Sequence, residues 1–212
     1  MEHVSFAKAL LRSPRHVGSI APSSRRLGER LATVVPEREG AVIVELGAGT
    51  GAVTTSIEQH RAPSSTFVAF ERDAKLATRL TSRSPSVHVV AEDARNVRTV
   101  LAGFGFEHAD AVVSGLPWAN FSSADQDVLL TAIAASLTPE GAFTTFAYLH
   151  ALRLGPARRF RARLGTHFDN VVTTPTIWWN LPPAITYVCR QPRPDADGST
   201  PADEGAGPPA VA

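Results

Sequence analysis

Residues 42–51, VIVELGAGTG, decide the fold. A run of Val, Ile and Leu leads into three alternate glycines, Gly47, Gly49 and Gly51, and helix-compatible residues follow from Ala52. That order reads as a buried strand, a turn whose bare backbone can bend sharply against a ligand, and a helix offering free N–H groups. Outward from it, residues 41–46, 66–70, 87–90 and 111–113 are short apolar runs of the kind that form parallel strands buried on both faces. The stretches between them, 52–60, 74–82 and 96–103, have the length of crossover helices. The alternation predicts an α/β chain with a doubly wound, Rossmann-like sheet.

Beyond the fourth strand a helix is expected over 122–137, capped by Ser122 or Ser123 and stopped by Pro139 and Gly141, and then a strand over 142–148. Pro156 and Gly165 bracket a short Arg-rich helix over 156–164. Strands over 168–173 and 184–189 are separated by Pro175, Pro182 and Pro183, which forbid a helix, so an antiparallel C-terminal hairpin on one sheet edge is expected. Ahead of the first strand, 4–11 and 24–34 read as N-terminal helices, and 191–212, rich in proline and poor in core-forming residues, reads as a disordered tail. The domain reading is therefore 1–35 as a substrate or membrane cap, 36–190 as the catalytic domain and 191–212 as tail.

Composition narrows the function. In 212 residues, 43% hydrophobic and 19% charged, there is apolar material for one core. A net charge of +1 removes the global basic field of a dedicated nucleic-acid binder, so DNA is excluded as a partner and RNA disfavoured. The lone Cys189 excludes an internal disulfide and a cysteine zinc cluster, and the histidines lack ligand spacing, so no metal is expected. No stretch reaches the ~20 apolar residues of a membrane span, which predicts a cytoplasmic chain, soluble or peripheral on the inner face of the cell membrane.

Three carboxylates bear on the ligand. Glu45 lies on the first strand and suits an ammonium group. Glu71 ends the second strand about twenty residues past the turn, where a carboxylate can accept two ribose hydroxyls, and Asp93 follows the third strand within reach of a base amine. A dinucleotide would set its pyrophosphate on a G-x-G-x-x-G turn, a spacing this chain lacks, whereas S-adenosylmethionine carries no phosphate and tolerates acids beside the turn. With E-x-G-x-G-x-G at 45–51, Glu71 and the E-D-A segment at 92–94, residues 41–115 resemble the class I S-adenosylmethionine-dependent methyltransferases. The resemblance implies that cofactor, held by Glu45, Gly47, Ala48, Gly49, Gly51, Glu71, Arg72, Asp93, Ala94 and Ser114.

The fourth-strand exit, residues 113–121 (VSGLPWANF), is similar to the N-L-P-Y segment of ribosomal-RNA adenine dimethylases, with Gly115 where their asparagine stands. A glycine cannot accept a hydrogen bond from an aromatic amine, which disfavours adenine; an aliphatic amine needs no such partner. Trp118 can offer an aromatic wall to ammonium or sulfonium charge, or simply pack the loop. Four motifs in order, LRSPRHVGSIAPSSRRL at 11–27, ELGAGTG, SGLP at 114–117 and NLPPA at 180–184, resemble the bacterial phospholipid N-methyltransferases over nearly all of residues 6–190. Departures are Ala48 in place of a turn proline and Ala147 in place of a hydroxyl residue.

That resemblance implies stepwise methylation of phosphatidylethanolamine, with a phospholipid substrate and an anionic membrane surface as partners and an N-terminal amphipathic helix as anchor. Six Lys or Arg against Glu2 and Glu29 in the first thirty residues, beside Phe6, Leu10 and Leu11, fit an interfacial helix, or equally a cap over the pocket. Tyr148 and His150, after the fifth strand, are the candidate polar contact and proton acceptor at the acceptor amine. Trp178, Trp179 and Asn180 are expected at the rim, against headgroups or closing the pocket. A small metabolite or ribosomal-RNA adenine as acceptor, and a membrane-surface cofactor-binding protein without turnover, are the alternative readings.

Overall fold

The computed structural model describes residues 24–193. The expected helix over 4–11, most of the basic N-terminal segment and residues 194–212 of the tail lie outside them. A helix α1 (Arg25–Leu31), capped by the Ser24 side chain on Leu27 N, opens the described chain. Then come β1 (Val42–Leu46), α2 (Ala52–His60), β2 (Thr66–Phe70), α3 (Ala74–Arg83), β3 (His88–Val90), α4 (Val97–Gly103), β4 (Ala109–Ser114), α5 (Ser123–Ala135), β5 (Leu137–Tyr148), α6 (Gly155–His167), β6 (Phe168–Thr173) and β7 (Ala184–Pro192).

The seven strands are ordered β3-β2-β1-β4-β5-β7-β6. β1 to β5 are parallel, and β7 enters antiparallel between β5 and β6. Because side chains alternate across a strand, β1 feeds both faces of the sheet. Val42, Val44 and Leu46 join Phe143, Leu130, Ile133 and Phe160 beneath α4, α5 and α6. Ile43 joins Phe67, Leu27, Leu31 and Ile57 beneath α1, α2 and α3. Each such fully buried side chain contributes about 1.5–3 kcal/mol, and the two layers together shield both faces of the central strands from solvent.

Several boundaries shift by a residue or more from the sequence reading, and three shifts bear on the architecture. α5 stops at Ala135 and β5 starts at Leu137, so Pro139 and Gly141 lie in an irregularity of the strand: Ala109 pairs with Leu137, but Ala111 pairs with Ala142. Gly141 fits there because a Cβ would meet the Thr138 carbonyl at 2.9 Å. α6 runs through Gly165 to His167, since burial of Leu164 and His167 outweighs the ~1 kcal/mol that glycine costs within a helix. Finally, β7 extends two residues past Arg190, into the segment read as tail.

Candidate functional site

Parallel strands bring their carboxyl ends to one edge of the sheet, and the sequence-selected residues collect there. The glycine turn follows β1 and is held down by Phe70, whose carbonyl accepts from Gly47 N at 2.9 Å and Ala48 N at 3.0 Å. Gly47, Gly49 and Gly51 have φ of +78°, +55° and +82°, a region other residues occupy only with strain. Two of the three are also packed tightly. A Cβ on Gly47 would lie 2.8 Å from Leu116 Cδ2, and one on Gly51 would lie 2.7 Å from Leu80 Cδ1. Around Gly49 nothing lies within 4 Å, so the turn is open to a ligand at that residue.

The carboxylates divide by environment. Glu71 is partly buried and binds the turn directly: its Oε2 accepts from Gly49 N at 2.7 Å and its Oε1 from Asp73 N at 2.8 Å. Each oxygen keeps a second lone pair for a ligand hydroxyl. Asp93 accepts from Arg95 N at 3.0 Å and lies 3.6 Å from Arg72 and 3.8 Å from Arg95, while Ala94 begins the short turn behind it. Glu45 is fully buried; Thr54 Oγ1 donates to its Oε2 at 2.6 Å, and its Oε1 has no partner among the described residues. Burial, reinforced by the nearby Glu71 and Glu58 carboxylates, pushes Glu45 up to about 8 despite the Thr54 bond. The carboxyl is therefore held neutral at pH 7 until a cation meets it.

The fourth-strand exit turns the side chains of two expected site residues inward. Ser114, expected at the cofactor, is fully buried, and its hydroxyl accepts from Trp118 Nε1 at 3.1 Å and Leu116 N at 3.3 Å. Trp118 is 3% exposed, stacked on Phe160 at 4.8 Å and edge-on to Phe121 and Phe143. Its rings pack among core aromatics, the second of the two roles its sequence position offered. Gly115 sits against the turn, and a Cβ there would meet the Gly47 carbonyl at 2.9 Å. The missing side chain is thus a condition for β4 and the turn to approach.

Tyr148 closes β5 at the same edge, half-buried and edge-on to Phe146, with the exposed ring of His150 stacked on it at 5.8 Å. Desolvation raises the Tyr148 phenol above its usual range, so it remains protonated at neutral pH. The loop between β6 and β7 lies at this edge too. Its Asn180 is buried, accepting from Ser24 N at 3.1 Å and donating to Pro182 O at 2.6 Å, and so ties the loop to the start of α1.

Sequence reasoning missed Thr54 and Leu116. Thr54 was discoverable as a hydroxyl one turn into the helix after the glycines; Leu116 carried no signal. A hollow of about 510 Å³ lined by Val34, Arg38, Asp110, Glu140 and Arg190 opens at the opposite edge of the sheet, away from all of these groups.

Comparison with known proteins places this geometry. No family model matches the chain. An ornithine lipid N-methyltransferase from Singulisphaera acidiphila is 35% identical over 179 residues, covering 82% of this chain and 88% of that protein. Among solved structures, the CurJ carbon methyltransferase superposes with a TM-score of 0.59 at 18% identity, over 75% of this chain but only half of its own. The spermidine synthase of Thermotoga maritima gives 0.60 at 15% identity, over 80% of this chain and 60% of its own. An S-adenosylmethionine-dependent O-methyltransferase from the same organism gives 0.57 at 15%, over 89% and 72%. At such identities these structures establish the fold alone, here the Rossmann-like class I methyltransferase fold.

Proposed function

The chain belongs to the lipid N-methyltransferase family of class I S-adenosylmethionine-dependent methyltransferases, and from that premise we propose that it methylates the primary amine of a phosphatidylethanolamine headgroup at a membrane surface. The observation carrying this reading is the 35% identity to a lipid N-methyltransferase over most of both chains, joined to an acceptor edge where Gly115 provides no acceptor for an aromatic amine. Ornithine lipid is the second reading, favoured by that relative's own substrate. Both acceptors present a primary aliphatic amine.

The residues fit the cofactor. The buried Glu45 Oε1 has no partner among the described residues and is left for a ligand's N–H, Gly49 leaves its surroundings open, and Glu71 and Asp93 stand at successive strand ends. In this reading Glu45 holds the ammonium of S-adenosylmethionine, Glu71 its ribose hydroxyls and Asp93, steadied by Arg72 and Arg95, its base amine. Bound there, the cofactor supplies a methyl group on a sulfonium that is already an activated leaving group. The chain's own task is alignment, together with removal of one proton from the acceptor ammonium. Tyr148, kept protonated by burial, orients the amine or its phosphate, and the exposed His150 beside it takes the proton.

The test is transfer of labelled methyl in parallel to phosphatidylethanolamine vesicles, ornithine lipid vesicles, ethanolamine, ornithine and unmodified RNA. Label in lipid alone supports the reading, with the preferred vesicle naming the headgroup. Label in the free amines or RNA, and none in lipid, overturns it.

A further inference from the structure

The residues after β5 and between β6 and β7 leave one surface the chemistry does not use. Trp178, Trp179 and Leu181 are 67%, 77% and 77% exposed, although each is large and apolar. Scattered single apolar residues on a surface need no explanation, but three within four positions, turned outward together, do. They are not the product of a loose loop. Asn180, between them, points inward and is bonded to Ser24 and Pro182; Leu149 N donates to Pro183 O at 2.8 Å; and Ile177 bridges to Ala184. The backbone is pinned to α1 and to the end of β5, and that pinning directs the two indoles and the leucine outward.

Basic residues lie beside this apolar tip and along the same sheet edge, where the acid of α1, Glu29, is paired with Arg25. Arg26 lies over the Trp179 ring at 5.4 Å. Leu154, 56% exposed, stands at the start of α6 at the same edge of the sheet, flanked by the exposed Arg153, Arg158 and Arg159, none of which forms an ion pair with another described residue. Between residues 141 and 190 the sole acid is Asp169, at the start of β6 and so at the opposite edge, where it pairs with Arg193. Tryptophan favours the boundary between headgroup and acyl chain, and arginines near an anionic surface add attraction that salt screens.

We propose that the loop 174–183 is a membrane-docking element, in which Trp178, Trp179 and Leu181 enter the headgroup region of an anionic phospholipid bilayer while Arg26, Arg153, Arg158 and Arg159 meet lipid phosphates. Because the loop shares the sheet edge with the glycine turn and Tyr148, this contact turns the site toward the bilayer. The proposal rests on the lipid-methyltransferase reading for its purpose, but its contact with lipid is measured separately.

The experiment uses the full chain, vesicles of phosphatidylethanolamine with phosphatidylglycerol, and the variant Trp178→Ala/Trp179→Ala. The chain has three tryptophans and Trp118 is 3% exposed, so vesicle-induced changes in emission report on the loop. Expected are a blue shift, quenching by bilayer-embedded brominated lipid, and loss of both with neutral phosphatidylcholine vesicles or high salt. The double variant should partition onto anionic vesicles about tenfold or more weakly, with unchanged cofactor affinity and melting temperature. It should lose transfer to vesicle lipid while keeping transfer to a short-chain, monomeric phosphatidylethanolamine.

Equal partitioning of variant and wild type, or binding without quenching, overturns the docking role. Loss of transfer to the monomeric lipid as well, with vesicle binding intact, overturns it in favour of a loop that closes the pocket. Quenching without any methyl transfer to lipid by the wild type leaves the docking element standing and refutes the proposed reaction instead.

Discussion

Glu45→Gln removes the titrating proton of the buried carboxyl while keeping its shape, and it reads out on both folding and ligand binding. The Glu45 pKa of about 8 in the folded chain stands against an ordinary 4.5, so between these values the folded state holds a proton that the unfolded state has lost. The sign follows from linkage: the contribution is complete below about pH 4.5 and is lost as pH rises through about 8. Wild-type stability minus that of the Gln variant should therefore fall by up to about 1.4 kcal/mol per pH unit inside that window. Urea denaturation of both proteins across the window measures it.

Binding carries the same signature reversed. At pH 7 a group with a pKa of about 8 is roughly nine-tenths protonated, so placing an ammonium against its carboxylate expels close to one proton. Calorimetry of S-adenosylmethionine binding in buffers of different ionisation enthalpy should show about 0.9 proton released by the wild type and none by the variant. A pH-independent stability difference, together with equal proton release by the two proteins, refutes both the neutral Glu45 and its assignment to the ammonium.

Gly47→Ala combines a φ of +78° with a contact at 2.8 Å, so a stability loss of about 1–3 kcal/mol and loss of cofactor binding are expected in melting and calorimetry. Gly115→Ala forces the Gly47 carbonyl away from a Cβ 2.9 Å distant and should weaken cofactor binding without altering the acids. Trp118→Ala should cost about 3–5 kcal/mol in chemical denaturation. Ser114→Ala should cost about 1 kcal/mol while leaving cofactor affinity intact, since its hydroxyl serves Trp118 rather than the ligand. Asn180→Ala strips two hydrogen bonds from the loop and should accelerate its proteolysis at a cost of about 1–3 kcal/mol.

The parts of the molecule written in local order were legible in the sequence. α2 and β2 have the bounds that periodicity and turn residues set, because a glycine turn, a helix-length crossover and a short apolar run constrain one another without distant help. The hairpin was readable from its prolines. What remained hidden depends on contacts far apart in the chain. Ser114 and Trp118 carry site chemistry on paper, but Phe160, more than forty residues on, takes the indole into the core. Gly165 looks like a stop until the burial of Leu164 and His167 carries the helix past it. The neutral state of Glu45 follows from desolvation, which only the assembled layers impose. Within NLPPA, the inward Asn180 and outward Leu181 separate only once Ser24 is in place.

The most direct test of the account is the lipid composition of a bacterial host rich in phosphatidylethanolamine that expresses the wild-type chain or Glu45→Gln. Mass spectrometry of extracted lipids should show mono- and dimethylated amine headgroups with the wild type and few or none with the variant. Unchanged lipids in cells that accumulate folded, cofactor-binding wild-type protein would contradict the proposal that this site methylates a phosphatidylethanolamine amine.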